Sequence, residues 1–464
     1  MAFGQSLVRN AIQERRLKLR KFPYSNNPLE TFLNISKRND FCYLLESAEG
    51  PRKLAQYSFI GFSPDIVIQV KNHKYTRLSQ EGLSTFDTDD PFKSLREVLV
   101  QGFTPYRGFR FVGGLVGYFS YDTARYLESL PDDSIDDLGL PDLEFGVYND
   151  GIVFDHLSGE AYYYWYDENR VREVENSRNT TEQADTLVAK NLHPNLRQEE
   201  FEENVRKVKG YVKAGDIFQA VISKRFQFTF KGELINFYRA LREINPSPYM
   251  YFLKMGERAI VGSSPEMLGR LDGTSAETFP IAGTRPIGKN RAQDRAFSKE
   301  LLNDPKERAE HVMLIDLARN DLGKVCDYGT ITVPEFMTVQ KYSHVQHIVS
   351  RVAGRLKPGC DAIDLFKAIF PAGTVSGAPK KRAMEIIDEL EPHHRGPYAG
   401  AVGYFSYNGN ADFAITIRTL VASHGRGFIQ AGAGIVADSD PTREWLETEH
   451  KADALLHALK LRGV

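Results

Sequence analysis

Gly114-Leu115-Val116-Gly117-Tyr118-Phe119-Ser120-Tyr121 is nearly repeated as Gly400-Ala401-Val402-Gly403-Tyr404-Phe405-Ser406-Tyr407. Seven of the eight positions are identical. Apolar runs this short, flanked by glycine, read as strands rather than helices. Chance likeness between two strands would be one explanation. The other is two related sheets, one in each lobe, and the spacing is far too long for a solenoid array. Further strands are expected at 41–46, 57–62, 66–70 and 151–154. The polar turn 155–160 leads into another at 161–166, a hairpin signal. A charged helix is expected over 6–19.

From residue 198 onward helices and strands alternate. Helices are expected over 199–214 (closed by Gly215), 232–245, 306–319, 380–390 and 443–461, with a strand region over 219–230. Val312, Ile315 and Ala318 suggest that the helix 306–319 is largely buried. The polar, then helical, stretch 168–193 is the candidate boundary. It divides an N-terminal lobe (1–170) from a C-terminal lobe (195–464). The fold class expected is α+β: two interleaved lobes with antiparallel sheets forming a sandwich and helices on the outer faces.

Composition narrows the function classes. Over 464 residues, 42% are hydrophobic and 26% charged, and the net charge is -2. That balance gives no global basic field for nucleic acid. No apolar run reaches the roughly 18 residues needed to span a bilayer. Cys42, Cys326 and Cys360 form no CxxC pair, so neither a zinc site nor a disulfide framework is expected. A reducing, cytoplasmic setting fits.

Several constellations could carry chemistry. In Arg443-Glu444-Trp445-Leu446-Glu447-Thr448-Glu449-His450-Lys451, the residues Glu444, Glu447 and Lys451 share one helix face. That face is either solvated, or it offers a carboxylate to a hard cation and a lysine to an anion. Glu310 sits on an otherwise apolar helix, where an isolated carboxylate is costly. Gln430-Ala431-Gly432-Ala433-Gly434 allows either a tight strand bend or close approach of a ligand to backbone amides. Arg418 is either a structural salt-bridge partner or a receiver for a carboxylate. His347 is either structural or an acid working near neutral pH. No P-loop, HExxH or Ser-His-Asp order is present.

Longer motifs add a resemblance. They are PIAGTRP at 280–286, ERAEHVMLIDLARNDLG at 307–323, FPAGTVSGAPK at 370–380, and QAGAGIV with the following ExxExxxK. Together they are similar to the chorismate-utilising enzyme family, which includes anthranilate, aminodeoxychorismate, isochorismate and salicylate synthases. The likeness runs from 198 to 459 and is weaker through the N-terminal lobe. It implies a Mg2+-dependent site, with Glu310 and Glu447 matching the metal ligands. Gly283, Thr284, Tyr398, Arg418, Gly432, Ala433, Gly434 and Lys451 match substrate contacts. His347 and Glu266 match the catalytic pair, and Thr374 matches a site-lining threonine.

Within that family two positions discriminate. Water-using members resemble one another in carrying a lysine base where this chain has Gln219. Aminodeoxychorismate-forming members typically carry a nucleophilic lysine where this chain has Ala282. Both absences point to the anthranilate-forming branch: chorismate and ammonia to anthranilate and pyruvate, the first committed step of tryptophan biosynthesis. Ser47, Pro248, Tyr249 and Met250 match a pocket for feedback inhibition by L-tryptophan. No glutaminase elbow is present, so ammonia is expected from a separate glutamine amidotransferase subunit in a hetero-oligomer. The alternatives are an aminodeoxychorismate-forming enzyme and a non-catalytic tryptophan-sensing paralogue.

Overall fold

The structure is a computed structural model and describes residues 15–22, 27–47, 56–99, 106–176, 185–341 and 345–461. It is built on two 12-stranded sheets. Both combine early and late parts of the chain. In one sheet, the strand Phe41–Glu46 pairs with Tyr249–Met255. In the other, Gly114–Phe119 pairs with Ala401–Ser406. All the pairings between named strands are antiparallel, and helices cover the outer faces, so the sandwich expected from the pattern is present.

The repeated octapeptide does not mark two sheets. Its copies lie side by side in a single sheet, with Gly117 opposite Gly403 and Tyr118 opposite Val402. All six residues of each strand are buried. Alternation explains why the run is apolar throughout. Val116, Tyr118, Val402 and Tyr404 point into an aromatic layer shared with the other sheet, alongside Tyr43, Phe59, Phe111 and Tyr251. Leu115, Phe119, Ala401 and Phe405 point the other way, into a core closed by helices. There Phe119 stacks on Phe366 with ring centroids 4.1 Å apart. Gly117 and Gly403 are glycines because neighbouring strands crowd them. A Cβ would lie 2.0 Å from the Glu144 carbonyl oxygen and 2.1 Å from that of Asp412, respectively.

Three expectations change. The helix expected over 6–19 lies outside the described residues up to residue 14, and its end is extended: Lys18–Phe22 is an edge strand paired with Glu160–Trp165. The stretch 168–193 contains the short helix Val171–Asn176 and then part of the strand Val188–Pro194, with 177–184 outside the described residues. The helix expected over 306–319 runs over Pro305–Val325. Only one of its faces is buried, through Leu314 and Ile315, while Val312 is exposed. The start of this helix follows from local chemistry. Asp304 caps it by accepting from the amides of Lys306 and Glu307, and Pro305 takes a first-turn position where no amide is needed.

Candidate active site

Residues far apart in sequence meet in one cleft. Its first wall is the pair of strands Ile281–Pro286 and Val345–Arg355, which sets Thr284 opposite His347. A bulge between Ala282 and Thr284 turns Gly283 to φ 69°, a left-handed conformation that suits glycine. The Gly283 carbonyl lies 2.8 Å from His347 Nδ1, and the Thr284 hydroxyl is 3.1 Å from the same nitrogen. A carbonyl only accepts, so Nδ1 carries the proton, and the neutral ring has its lone pair on Nε2. Burial lowers the His347 pKa, and the charge of Arg418 lowers it further.

The second wall is the end of the strand Arg426–Ile435. On one side this segment pairs with Gln219–Lys231, with Val221 opposite Gly434 and Ser223 opposite Gly432. Val221 and Ser223 send their amides away from it, to Ser376 O and the Glu391 carboxylate. These are therefore non-hydrogen-bonded pairs, and Gly432 and Gly434 also turn their amides outward. The strand Thr419–Ser423 covers that edge only as far as Ile429. The two glycine amides thus face the cleft. Ala433 differs: its amide turns toward the partner strand, and its methyl packs with Ile222 and Ile386 in the core. Tyr398 stands at Gly432, where a Cβ would come within 2.8 Å of its hydroxyl. Gln219 stands at Gly434, where a Cβ would come within 2.5 Å of Nε2.

Two helices close the cleft. From Pro441–Leu461, Lys451 donates to the Gly432 carbonyl (2.9 Å) and pairs with Glu447 (2.8 Å). From Pro305–Val325 comes Glu310. Its pKa is raised by burial and then by the neighbouring Glu307, with Glu447 adding to the effect. Glu444 is raised in the same way, by burial and by Glu447. Crowded carboxylates that repel one another suit a divalent cation, and Mg2+ takes one or two carboxylates plus water and substrate oxygens. Among the described residues no three such groups form a ready cage, and a Mg2+ site of that kind does not require one. The family motifs singled out Glu310 and Glu447, and the shared helix face had already offered Glu444; Glu307 emerges as a neighbour only from the fold.

At the floor, Glu266 follows the strand Arg258–Ser264. Part of the residue reaches the cleft, yet its carboxyl lies deep among protein atoms, and burial pushes its pKa up to about 7. The Thr374 hydroxyl donates to it (2.8 Å) and, with the charge of Lys451, counters part of that rise. Thr374→Val should therefore move the Glu266 titration upward by about one pH unit. A pH–rate profile with its alkaline limb unmoved would refute this link.

Arg418 has φ 50°, a strained position for a side-chain-bearing residue. Among the described residues no acidic group pairs with it. Its guanidinium donates to Asn245 Oδ1 (3.3 Å), and burial lowers its pKa. A desolvated cation without a counter-charge is prepared for an anion, which favours the receiver reading over the structural one.

The proposed regulatory residues gather elsewhere. Met250 lies opposite Glu46 on adjacent strands, Ser47 follows Glu46, and Pro248 and Tyr249 lead into the same strand. Glu46 is held by Arg242 (2.9 and 3.0 Å) and the Tyr238 hydroxyl (2.9 Å). Tyr249 donates to Asp412 (2.9 Å).

Comparisons with known proteins agree with this architecture. A model of chorismate binding enzymes matches residues 74–457. The chain is similar to anthranilate synthase component 1 of Methanothermobacter thermautotrophicus, with 46% identity over 99% of this chain and 97% of that protein. For the protein of the same name from Aquifex aeolicus the values are 44%, 94% and 93%. Among solved structures, anthranilate synthase component I from Streptococcus pneumoniae superposes with a TM-score of 0.78 at 36% identity, covering 88% of this chain and 93% of that one. The isochorismate synthase MenF of Escherichia coli shares the fold at 18% identity, with a TM-score of 0.72 over 96% of this chain and 95% of that one. This chain, with its two interleaved sheets and the cleft between Glu266, Arg418 and Lys451, belongs to the chorismate-binding enzyme family.

Proposed function

We propose that this chain converts chorismate and ammonia to anthranilate and pyruvate, the first committed step of tryptophan biosynthesis. The observation that carries the reading is Gln219. A buried, neutral amide lies at Gly434, the position where water-using relatives are expected to carry a lysine base. An amide cannot deprotonate water, whereas ammonia arrives with its own lone pair. Ala282 likewise offers no nucleophile for the aminodeoxychorismate route.

Chorismate is a dianion and needs two receivers. Glu310 and Glu447 would hold Mg2+, which supplies a Lewis acid for one carboxylate and for charge developing on the ring. Arg418 and the amides of Gly432 and Gly434 receive the other carboxylate, with Tyr398 alongside and Lys451 adding positive charge. Ammonia forms a bond to ring carbon 2, the ring double bonds shift, and the carbon 4–oxygen bond breaks. Glu266, with its pKa at about 7, gives its proton to the departing hydroxyl, which leaves as water, and the new carbon 2 ammonium gives up a proton that restores the acid. His347, kept neutral, is the better base. It takes the carbon 2 proton as the carbon 3–oxygen bond breaks and the ring becomes aromatic, and the released enolpyruvate gains a proton at its methylene carbon to become pyruvate.

Ammonia would come from a separate glutamine amidotransferase subunit. The lobe 1–170 contributes Ser47 to a tryptophan pocket completed by Pro248, Tyr249 and Met250. A cytoplasmic setting suits the three free cysteines, and no helix among the described residues is long and apolar enough to cross a membrane. Tryptophan at about 100 times its Kd should stabilise the fold by about 2.7 kcal/mol and slow turnover. If neither happens at millimolar tryptophan, the pocket is misassigned.

The deciding assay incubates the chain with chorismate, Mg2+ and ammonium. Fluorescent anthranilate appearing with equimolar pyruvate supports the proposal. A product that retains its enolpyruvyl group would instead favour the aminodeoxychorismate reading.

A further inference from the structure

A buried ion pair lies behind the cleft, against the Thr374 segment, the strand Gln219–Lys231 that pairs with the glycine strand, and Tyr398. Arg395 and Glu391 are 2% and 5% exposed. Arg395 binds Glu391 through two nitrogens, at 2.9 and 2.6 Å. It also donates to the Val375 carbonyl (2.8 Å), the residue after Thr374, and to the Val221 carbonyl (2.6 Å), opposite Gly434. Its guanidinium lies 5.7 Å from the centre of the Tyr398 ring and 4.6 Å from that of Tyr121. Glu391 accepts from the amide and the hydroxyl of Ser223, at 2.8 and 2.9 Å. Ser223 lies opposite Gly432, and its hydroxyl also accepts from Gln430 (2.8 Å).

We propose that Arg395 and Glu391 are positioning residues for this reaction. They lock the Thr374 segment, the glycine strand and Tyr398 into one rigid frame. The inference rests on the chorismate-binding role assigned to that cleft. A pair this deeply buried is poor evidence for stability, because the cost of removing both charges from water offsets much of their attraction. What the pair does supply is geometry. A planar guanidinium fixes four acceptor directions at once, which an ammonium or an apolar side chain cannot do. Through Ser223 and Val221 it also keeps the neighbouring strand's amides turned away, and the cleft-facing amides of Gly432 and Gly434 depend on that register. Through Val375 it fixes where Thr374 meets Glu266.

Positioning errors of about 1 Å can cost on the order of 100-fold in rate. Arg395→Lys keeps the charge and loses the fork. Glu391→Gln keeps the shape and loses the charge. Arg395→Lys should retain the parent's circular dichroism and a melting temperature within a few degrees, whereas Glu391→Gln, which leaves the guanidinium without its counter-charge, should keep the circular dichroism and melt lower. For Arg395→Lys, kcat should fall on the order of 100-fold and KM for chorismate should rise, while Glu391→Gln should show a smaller loss of the same pattern. A folded Arg395→Lys protein with kcat and KM within threefold of the parent would overturn the proposal. So would a loss that merely tracks the fraction unfolded. If Arg395→Lys does not fold, Glu391→Gln decides, and failure of both to fold would make the pair a stability element and end the proposal. The parent, assayed in parallel, separates the two questions. A parent that makes no anthranilate sinks the assigned reaction, and the pair is then judged by calorimetric affinity for chorismate.

Discussion

Glu266→Gln is expected to lower turnover by about 100-fold or more, because the chemistry loses its proton donor. The amide keeps the shape of the side chain and can still engage the Thr374 hydroxyl, so chorismate affinity measured by calorimetry should change little. His347 is a poor substitute. Burial and the charge of Arg418 lower its pKa, so near neutral pH it has no spare proton to give. In the parent the direction of the pH dependence follows from the same reasoning. The acid must be protonated, and its pKa is about 7, so turnover is retained below that value and falls as pH rises through it. The measurement needs free ammonia held constant, since its concentration also rises with pH. Activity in the glutamine variant within tenfold of the parent would remove Glu266 from the role of acid.

Glu447→Gln should act through a different route and lower turnover on the order of 100-fold at sub-millimolar Mg2+. It removes one of the two carboxylates proposed to hold the cation, and it leaves Lys451 without its 2.8 Å partner. Two readouts separate these effects. Calorimetry should show weakened Mg2+ binding, and raising Mg2+ should restore part of the rate. Tryptophan binding should be unaffected, because the regulatory residues lie on other elements. An unchanged Mg2+ dependence would sink the metal assignment.

Part of this architecture was legible in local chemistry. Strands such as Phe41–Glu46 and Tyr57–Phe62 fall where short apolar runs and the turn residues between them place them. Helix ends follow Asp304 and Gly215, whose capping roles depend on adjacent backbone alone. The motif residues could be located for the same reason: each motif is contiguous. The octapeptide repeat shows the limit. Its composition announces strands buried on both faces, yet nothing local says that the two copies pair with each other.

The amino-acid sequence by itself determined the α+β class, the family and the set of candidate side chains. Periodicity and motif identity are short-range properties of the chain. Only the tertiary structure decided what those side chains can do. It turned the amides of Gly432 and Gly434 toward the cleft and that of Ala433 away. It left Arg418 desolvated with no acidic partner among the described residues, lowered the pKa of His347, and raised Glu266 into the range of a working acid. Each of these depends on which atoms exclude water and which charges lie nearby. Those neighbours come from segments far apart in the chain, so no reading of spacing contains them.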